Sequence, residues 1–428
     1  MTAVTAERIE SAAHARAVAR RLAADFATGA ARRDRDRELP HREIDRLAAS
    51  GLLAVTVPAD LGGADLPPSA VAEVVRILAT ADPNIAQIPH SHFVYVNLLR
   101  LAGSEAQRRR YLGQVLGGGR IANAQSERTS ATVAEIGTTV RRDGGRFRID
   151  GVKYYCTGSL FADVLAVLTR LDDPDERSGL TPGEYVAYLP VESPGVRIVD
   201  DWNGIGQRTT GSGTVSFDGV LVDREQLVAR SAAVRAPTGY GAFAQLLHAA
   251  IDAGIARGAL TAATQFARTG SRPWFEANVE RAIDDPLLIQ RFGELSVAVT
   301  TAEATLTAAA AAVDAAVGGG GGARGSAAGG TGTAAGGPFG GEDDAVDPVV
   351  AASLAVAAAK IVADRAANEV SAALFEVCGT RSAAADLNLH HFWRNARTHT
   401  LHDPVRWKYH HLGRALLHDT APPLHGVI

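Results

Sequence analysis

The sequence predicts an α+β protein that is mostly α: an N-terminal helical domain, a central β-barrel or sandwich domain, and a C-terminal four-helix bundle. Three observations carry this. Apolar residues recur at helical spacing up to about residue 118. Between 119 and 232 the period changes, and β-branched and aromatic residues are punctuated by Asp143-Gly144, Asp150-Gly151 and Asp218-Gly219, pairs that favour tight hairpin turns. From Tyr240 onward, long Ala-rich stretches return to helical character and suit close packing in a bundle. The domains are therefore expected at 1–118, 119–232 and 233–428, the last interrupted by a flexible Gly/Ala-rich insert at 318–347.

Each element has a local reason. Ile9, Ala13, Ala17 and Leu22 mark the first helix. A short second helix from His41 stops at Gly51, and Pro67-Pro68-Ser69 opens a third that runs through Thr80. The stretch from Pro83 to Leu101 reads as one apolar helix carrying His90, His92, Tyr95 and Asn97, with His92 and Tyr95 on a shared face. Ser104 and Gln107 form a capping box for the next helix. Strands are expected at Val140, at Phe147–Tyr154, at Val164–Thr169 and at Tyr185–Leu189. Helices then run over 244–269, from Asp285-Pro286 to about Val317, and from about Val349 to Phe375.

Composition excludes several classes. The chain has 428 residues, of which 46% are hydrophobic and 21% charged, as in a soluble globular protein of two or three packed units. A net charge of −4 gives no electrostatic case for nucleic acid or an anionic membrane. Cys156 and Cys378 are too few for a disulfide framework or a zinc site. The N-terminal residues carry charges throughout and lack a signal-peptide core, and the longest Ala/Val runs are broken by Asp314 and Lys360. A cytoplasmic enzyme is expected.

The richest stretch is Phe392–Gly413, which gathers His399, His402, His410 and His411 with arginines, a lysine and two tryptophans around Asp403-Pro404. Asp403 reads as an N-cap and Pro404 as the first helical residue. His399 and His402 would then flank a helix N-terminus, where two imidazoles can donate to an oxyanion or a peroxide. A solvated basic helix end gives the same sequence.

Further motifs resemble a known family. Asn123-Ala-Gln-Ser126-Glu127, followed by Lys153–Ser159, is similar to the two segments that line the flavin ring in the acyl-CoA dehydrogenase fold. Asp201–Arg208 resembles its next flavin-side loop, and Arg394-Asn-Ala-Arg397 precedes the place where dehydrogenases carry a catalytic glutamate. Here that place holds His402-Asp403-Pro404-Val405, which departs from the dehydrogenase pattern and resembles the flavin-dependent monooxygenase branch, the dibenzothiophene-monooxygenase-like and sulfur-acquisition oxidoreductases.

The resemblance implies a two-component system. A separate NAD(P)H-dependent flavin reductase supplies reduced FMN, and this chain uses it with oxygen to oxygenate a small organosulfur compound through a flavin C4a-hydroperoxide. It implies His399, His402 and His92 as catalytic residues. Asn123, Ser126, Thr157, Ser159, Trp202 and Tyr95 would contact the flavin. Arg272 and Arg381 would hold its phosphate, one of them across a subunit boundary in a homotetramer. No metal is implied. The alternative is an FAD-dependent acyl-CoA dehydrogenase with Asp403 as base, and a metal site built from His399, His402, His390 and His391 is a more distant one.

Overall fold

Pro89 divides what the sequence presents as one helix. In the computed structural model, which describes residues 6–128, 132, 135–318 and 347–426, six helices precede the first strand. They are α1 (Ala12–Asp36), α2 (His41–Ala49), α3 (Pro68–Ala81), α4 (Pro83–Gln87), α5 (His90–Ala102) and α6 (Glu105–Leu116). The Gly/Ala-rich insert expected at 318–347 lies, but for its end residues, outside the described residues. The expected helix over 83–101 is two pieces because Pro89 lacks the N–H that would continue the ladder. Ser104 and Gln107 form both bonds of the capping box, at 3.2 and 2.8 Å.

The middle of the chain forms one eight-stranded sheet. Its strands are β1 (Ile121–Ala124), β2 (Thr139–Asp143), β3 (Arg146–Lys153), β4 (Val164–Leu171), β5 (Glu184–Pro190), β6 (Val196–Val199), β7 (Thr214–Val222) and β8 (Leu227–Ala229). The order is β6-β7-β3-β2-β4-β5-β8, with β1 parallel to β4. Of the three Asp-Gly pairs, only Asp143-Gly144 turns a hairpin, between β2 and β3. The other two correct the turn expectation. They lie inside β3 and β7, where the register shifts between Ile149 and Gly151 and the Gly219 N–H donates to Asp150 at 2.8 Å. They make a bulge, which bends a strand without ending it.

The remaining helices are α7 (Ser231–Arg235), α8 (Tyr240–Thr269), α9 (Pro286–Gly318), α10 (Pro348–Cys378), α11 (His391–His399) and α12 (Arg406–His418). Residues of α1, α3, α8, α9 and α10 share one apolar core, so the bundle and the N-terminal helices pack as one body. Through most of its length α8 is buried on every side, from Tyr240 to Leu260 with breaks only at Gly241 and Arg257. A polar side chain on that helix has no route to water and must find a partner inside the protein.

Two end features matter for the site. Asp403 does not cap the last helix, which begins at Arg406 with Val405 as its N-cap and no side-chain cap bond. Its carboxylate is drawn back to the Lys408 Nζ at 2.7 Å, because a buried charge pair outcompetes a neutral N–H donor. On α9, Leu295, Val299, Ala302 and Leu306 pack inward while Leu287, Ile289 and Val297 face outward, more than half exposed. By length and composition α9 is the one helix among the described residues able to cross a membrane, but one side of it is built into the bundle.

Candidate active site

Four histidines from four parts of the chain meet where α5, α8 and α11 converge. His248 on α8 stacks between His90 on α5 and His402 in the turn after α11, with ring centroids 3.9 Å away on each side. His248 Nδ1 and His399 Nε2 are 3.0 Å apart, and His399 Nδ1 lies 2.6 Å from an Asp252 carboxylate oxygen. The other Asp252 oxygen accepts from Lys360 Nζ at 3.0 Å, and Lys360 also pairs with Asp364. His248 with Asp252, and Lys360 with Asp364, are four residues apart on α8 and α10, so each pair shares a helix face.

Burial sets the protonation of this chain of groups. His248 and His399 are held well below the ordinary histidine range because the interior disfavours a cation, and His90 is lowered to about 3 for the same reason. Burial also works against the Lys360 ammonium, but Asp252, Asp364 and Asp403 outweigh it and keep the group charged. Asp252 is raised by burial, and Asp364 is pushed up to about 8 by burial and by the neighbouring Asp252. Asp252 accepts from both Lys360 and His399, so it holds the negative charge, and Asp364 keeps its proton at neutral pH.

A second wall comes from the sheet. Thr157 and Ser212 hydroxyls are 2.8 Å apart, Ser212 and Thr210 are 2.7 Å apart, and the Thr210 hydroxyl donates to the Gln207 carbonyl at 2.9 Å. The Trp202 indole N–H donates to the same carbonyl at 2.7 Å, and Tyr155 meets the indole edge-on. This loop is pinned to α11: the Gln207 N–H donates to Asn395 at 2.7 Å, and Arg394 donates to the Ile205 carbonyl at 2.8 Å. Asn395 is one helical turn from His399, so the sheet wall and the histidine cluster adjoin.

The wall leaves hydrogen-bonding capacity unused. Buried and without partners among the described residues are Asn123 Oδ1, both ends of the Gln207 amide, Thr209 Oγ1, Asn395 Nδ2 and Thr398 Oγ1. Such groups are costly unless something completes them, and a heteroaromatic ring with donor and acceptor edges would do so. Thr157 and Trp202 belong to this wall, and they are the residues that could hold such a ring, with Asn123 on β1 offering a further unpaired acceptor. Gly206 permits the loop's approach, since a Cβ there would overlap the Arg394 carbonyl. Gly206→Ala is expected to weaken flavin binding at least tenfold in a fluorescence titration. An unchanged affinity would separate the loop from the cofactor site.

Other expected residues lie elsewhere. His92 donates from Nε2 to the Leu53 carbonyl at 2.9 Å and accepts the Ile121 N–H on Nδ1 at 3.1 Å. With both nitrogens committed to backbone it ties α5 to β1, and the histidine of α5 that lies beside His248 is His90. Tyr95 is equally enclosed, donating to Gln125 at 2.8 Å. The Ser159 hydroxyl is buried against the Gly211 carbonyl, and Ser126 bridges to Tyr154 through backbone. Arg272 is exposed and Arg381 donates to the Gly270 carbonyl at the far end of α8, which brings those two together but roughly 33 Å along that helix from His248 at 1.5 Å per residue.

The rival sites lose their geometry. Asp403 is buried, and although burial raises it, bonding to His402 and the charges of Lys408 and Lys360 hold it below the usual carboxylate range. A carboxylate so stabilised is a weak base for a carbon-bound proton. His390 and His391 open α11 while His399 closes it, about 12 Å apart at 1.5 Å per residue, too far for a shared metal. Sequence reasoning passed over His248, Asp252, Lys360 and Asp364 as parts of a site. The signal was titratable residues four apart inside helices otherwise rich in alanine.

Comparison with known proteins agrees with the geometry. The acyl-CoA dehydrogenase N-terminal, middle and C-terminal domain models match residues 10–119, 122–220 and 246–336. Dibenzothiophene monooxygenase of Rhodococcus qingshengii is 32% identical over 95% of this chain and 94% of its own length. This chain belongs to the acyl-CoA dehydrogenase family. Within the family it falls in the flavin-dependent monooxygenase branch. The probable FMNH2-dependent monooxygenase SfnC of Pseudomonas putida is 30% identical, with 95% of each chain covered. The FMN-bound structure of TdsC from Paenibacillus sp. A11-2 superposes with a TM-score of 0.84 at 29% identity, covering 97% of this chain and all of that one.

Proposed function

We propose that this protein is the oxygenase of a two-component system: it takes reduced FMN from a separate NAD(P)H-dependent flavin reductase and, with oxygen, oxygenates a small organosulfur compound. The observation that carries this reading is the cluster of imidazoles beside Asp403, whose carboxylate is tied to Lys408 and not free to abstract a proton. His402 stacks on His248 in a cluster that adjoins the Trp202–Gln207 loop through α11, and Asn123, Thr157, Trp202 and Gln207 would hold the flavin ring. Bound reduced FMN supplies the two electrons that oxygen needs to leave one atom in the substrate. The chain's own residues orient the ring, exclude water and move a proton. The protein would work in the cytoplasm, where the reductase finds its nicotinamide. The test is product formation from a panel of sulfones, sulfoxides and thioethers with reduced FMN and air, read by mass.

His402 is half-exposed and stacked on His248, so it is placed to steady the oxygen-loaded site without supporting the core. His402→Ala is expected to keep flavin affinity and thermal stability but to release hydrogen peroxide in place of at least nine-tenths of the product. Normal coupling in this variant would remove His402 from the mechanism.

The arginines need a second copy of the chain. Arg272 and Arg381 lie too far along α8 to reach a flavin beside their own histidine cluster, and the outward apolar face of α9 offers a surface for association. A homotetramer would bring each pair to a neighbour's FMN phosphate. Arg381→Ala with Arg272→Ala is expected to weaken FMN binding by tenfold or more, and light scattering is expected to give the mass of four chains. A monomer with unaltered affinity in the double variant would refute this arrangement.

A further inference from the structure

We propose that Asp252 and His399 are positioning residues that lock His248 in one tautomer, with its Nε2 held between the His90 and His402 rings as the proton-exchanging atom of the site. The proposal rests on the oxygenase reading and names the group that handles its proton. The reasoning starts from the carboxylate. Asp252 can only accept, so the His399 nitrogen 2.6 Å from it carries the hydrogen. A neutral His399 must then accept on Nε2, which obliges His248 to donate from Nδ1 across the 3.0 Å contact. That leaves His248 Nε2 as a lone pair with no partner among the described residues, on a side chain that is almost wholly buried.

The surroundings keep this order. Lys360, paired with Asp364 behind it, holds Asp252 ionised and in place. In front, His90 is tied by its Nε2 to the Ala244 carbonyl at 3.0 Å, and His402 leans toward Asp403, itself paired with Lys408. No other group among these stands ready to reverse the His248–His399 bond. The arrangement is a carboxylate-oriented imidazole pair, in which the second ring does the exchange and the first fixes its hydrogen.

The step balances. Substrate sulfur, oxygen and reduced FMN give the sulfur oxide, oxidised FMN and water. One oxygen atom ends on sulfur; the other leaves as water with the two hydrogens and two electrons of the flavin. His248 Nε2 takes up one of those protons and returns it, so it is unchanged after each turnover. Asp252 and His399 act through His248.

The experiment uses the full-length protein labelled with 15N-histidine, without flavin. The His248 and His399 signals are assigned by their loss in His248→Gln and His399→Gln. Both rings are expected as single Nδ1–H tautomers at pH 7. In Asp252→Asn, His248 is expected to populate the Nε2–H form, and coupled turnover to fall at least tenfold while flavin affinity changes less than twofold. Should the buried lysine prevent that variant from folding, Asp252→Asn with Lys360→Met removes both charges and serves instead. An Nε2–H or charged His248 in the unaltered protein overturns the proposal, as does full turnover in a folded variant. Absence of any sulfur oxygenation by the unaltered protein would instead strike the oxygenase reading, and the tautomer result is read independently of it.

Discussion

Acidification is expected to unfold this protein well above the pH at which ordinary carboxylates titrate. His90 is lowered to about 3 and His92 and His391 to about 4, while His248 and His399 lie well below the usual value, all chiefly through burial. Each is neutral when folded and becomes charged on unfolding below about pH 6.5. The stability these groups contribute is complete above pH 6.5 and is lost as pH falls toward their folded values. Asp364 acts in the opposite sense, since its raised value means the folded state holds a proton that the unfolded chain releases above about pH 4, while Asp252 stays ionised between Lys360 and His399. Near pH 5 five imidazoles gain a proton and one carboxyl loses one, so unfolding takes up a net of about four. Stability should therefore fall by about 6 kcal/mol per pH unit there, at about 1.4 kcal/mol for each proton. Urea titrations between pH 8 and 5 would show it. Stability that stays level down to pH 5 would mean that the buried imidazoles are not held neutral as described.

Lys360→Met is expected to cost about 3–5 kcal/mol, the penalty for removing one partner of a buried charged group. Lys360 and Asp252 are fully buried, and their contact at 3.0 Å joins α10 to α8 at the centre of the bundle. Methionine fills the space of the lysine stem but leaves the Asp252 charge with only neutral donors, His399 and the protonated Asp364, and no cation beside it. Removing Asp252's charge as well should recover a large part of the loss, because a neutral pair does not carry the desolvation cost of a lone ion. Denaturation of the single and double variants at pH 7 reads both effects. Equal loss in the two would show that the lysine acts through packing and not through charge.

Much of the architecture was legible because its signals are local. Ser104 and Gln107 meet in the expected capping box, and Asp285 accepts the Leu287 N–H at 2.9 Å at the start of α9. The change of period near residue 120 is the change from helix to sheet. What escaped depends on contacts between distant segments. His90 and His92 lie in one helix, roughly 200° apart around its axis at 100° per residue, and spacing alone does not say which face meets the bundle. Asp403 had the sequence of an N-cap, but Lys408 folds back onto it. His248 and Asp252 sit in an Ala-rich stretch whose packing role hid a chemical one. The Asp-Gly pairs at 150 and 218 look like turns until β3 and β7 are seen side by side.

The family also shows how one framework changes reaction. Where a dehydrogenase needs an unhindered carboxylate, this chain ties its own to Lys408 and fills the adjoining space with rings from α5, α8 and the turn after α11. An imidazole with a free lone pair can take up a proton and return it within one turnover, which suits a reaction that ends by releasing water. A fixed carboxylate cannot serve that purpose.

Turnover under oxygen-18 gas, with reduced FMN and an organosulfur substrate and with the product weighed by mass spectrometry, tests this most directly. One heavy oxygen atom is expected in each product molecule, with none acquired from labelled water. A product free of the label, or a tightly bound FAD that bleaches on addition of an acyl-CoA, would contradict the assignment.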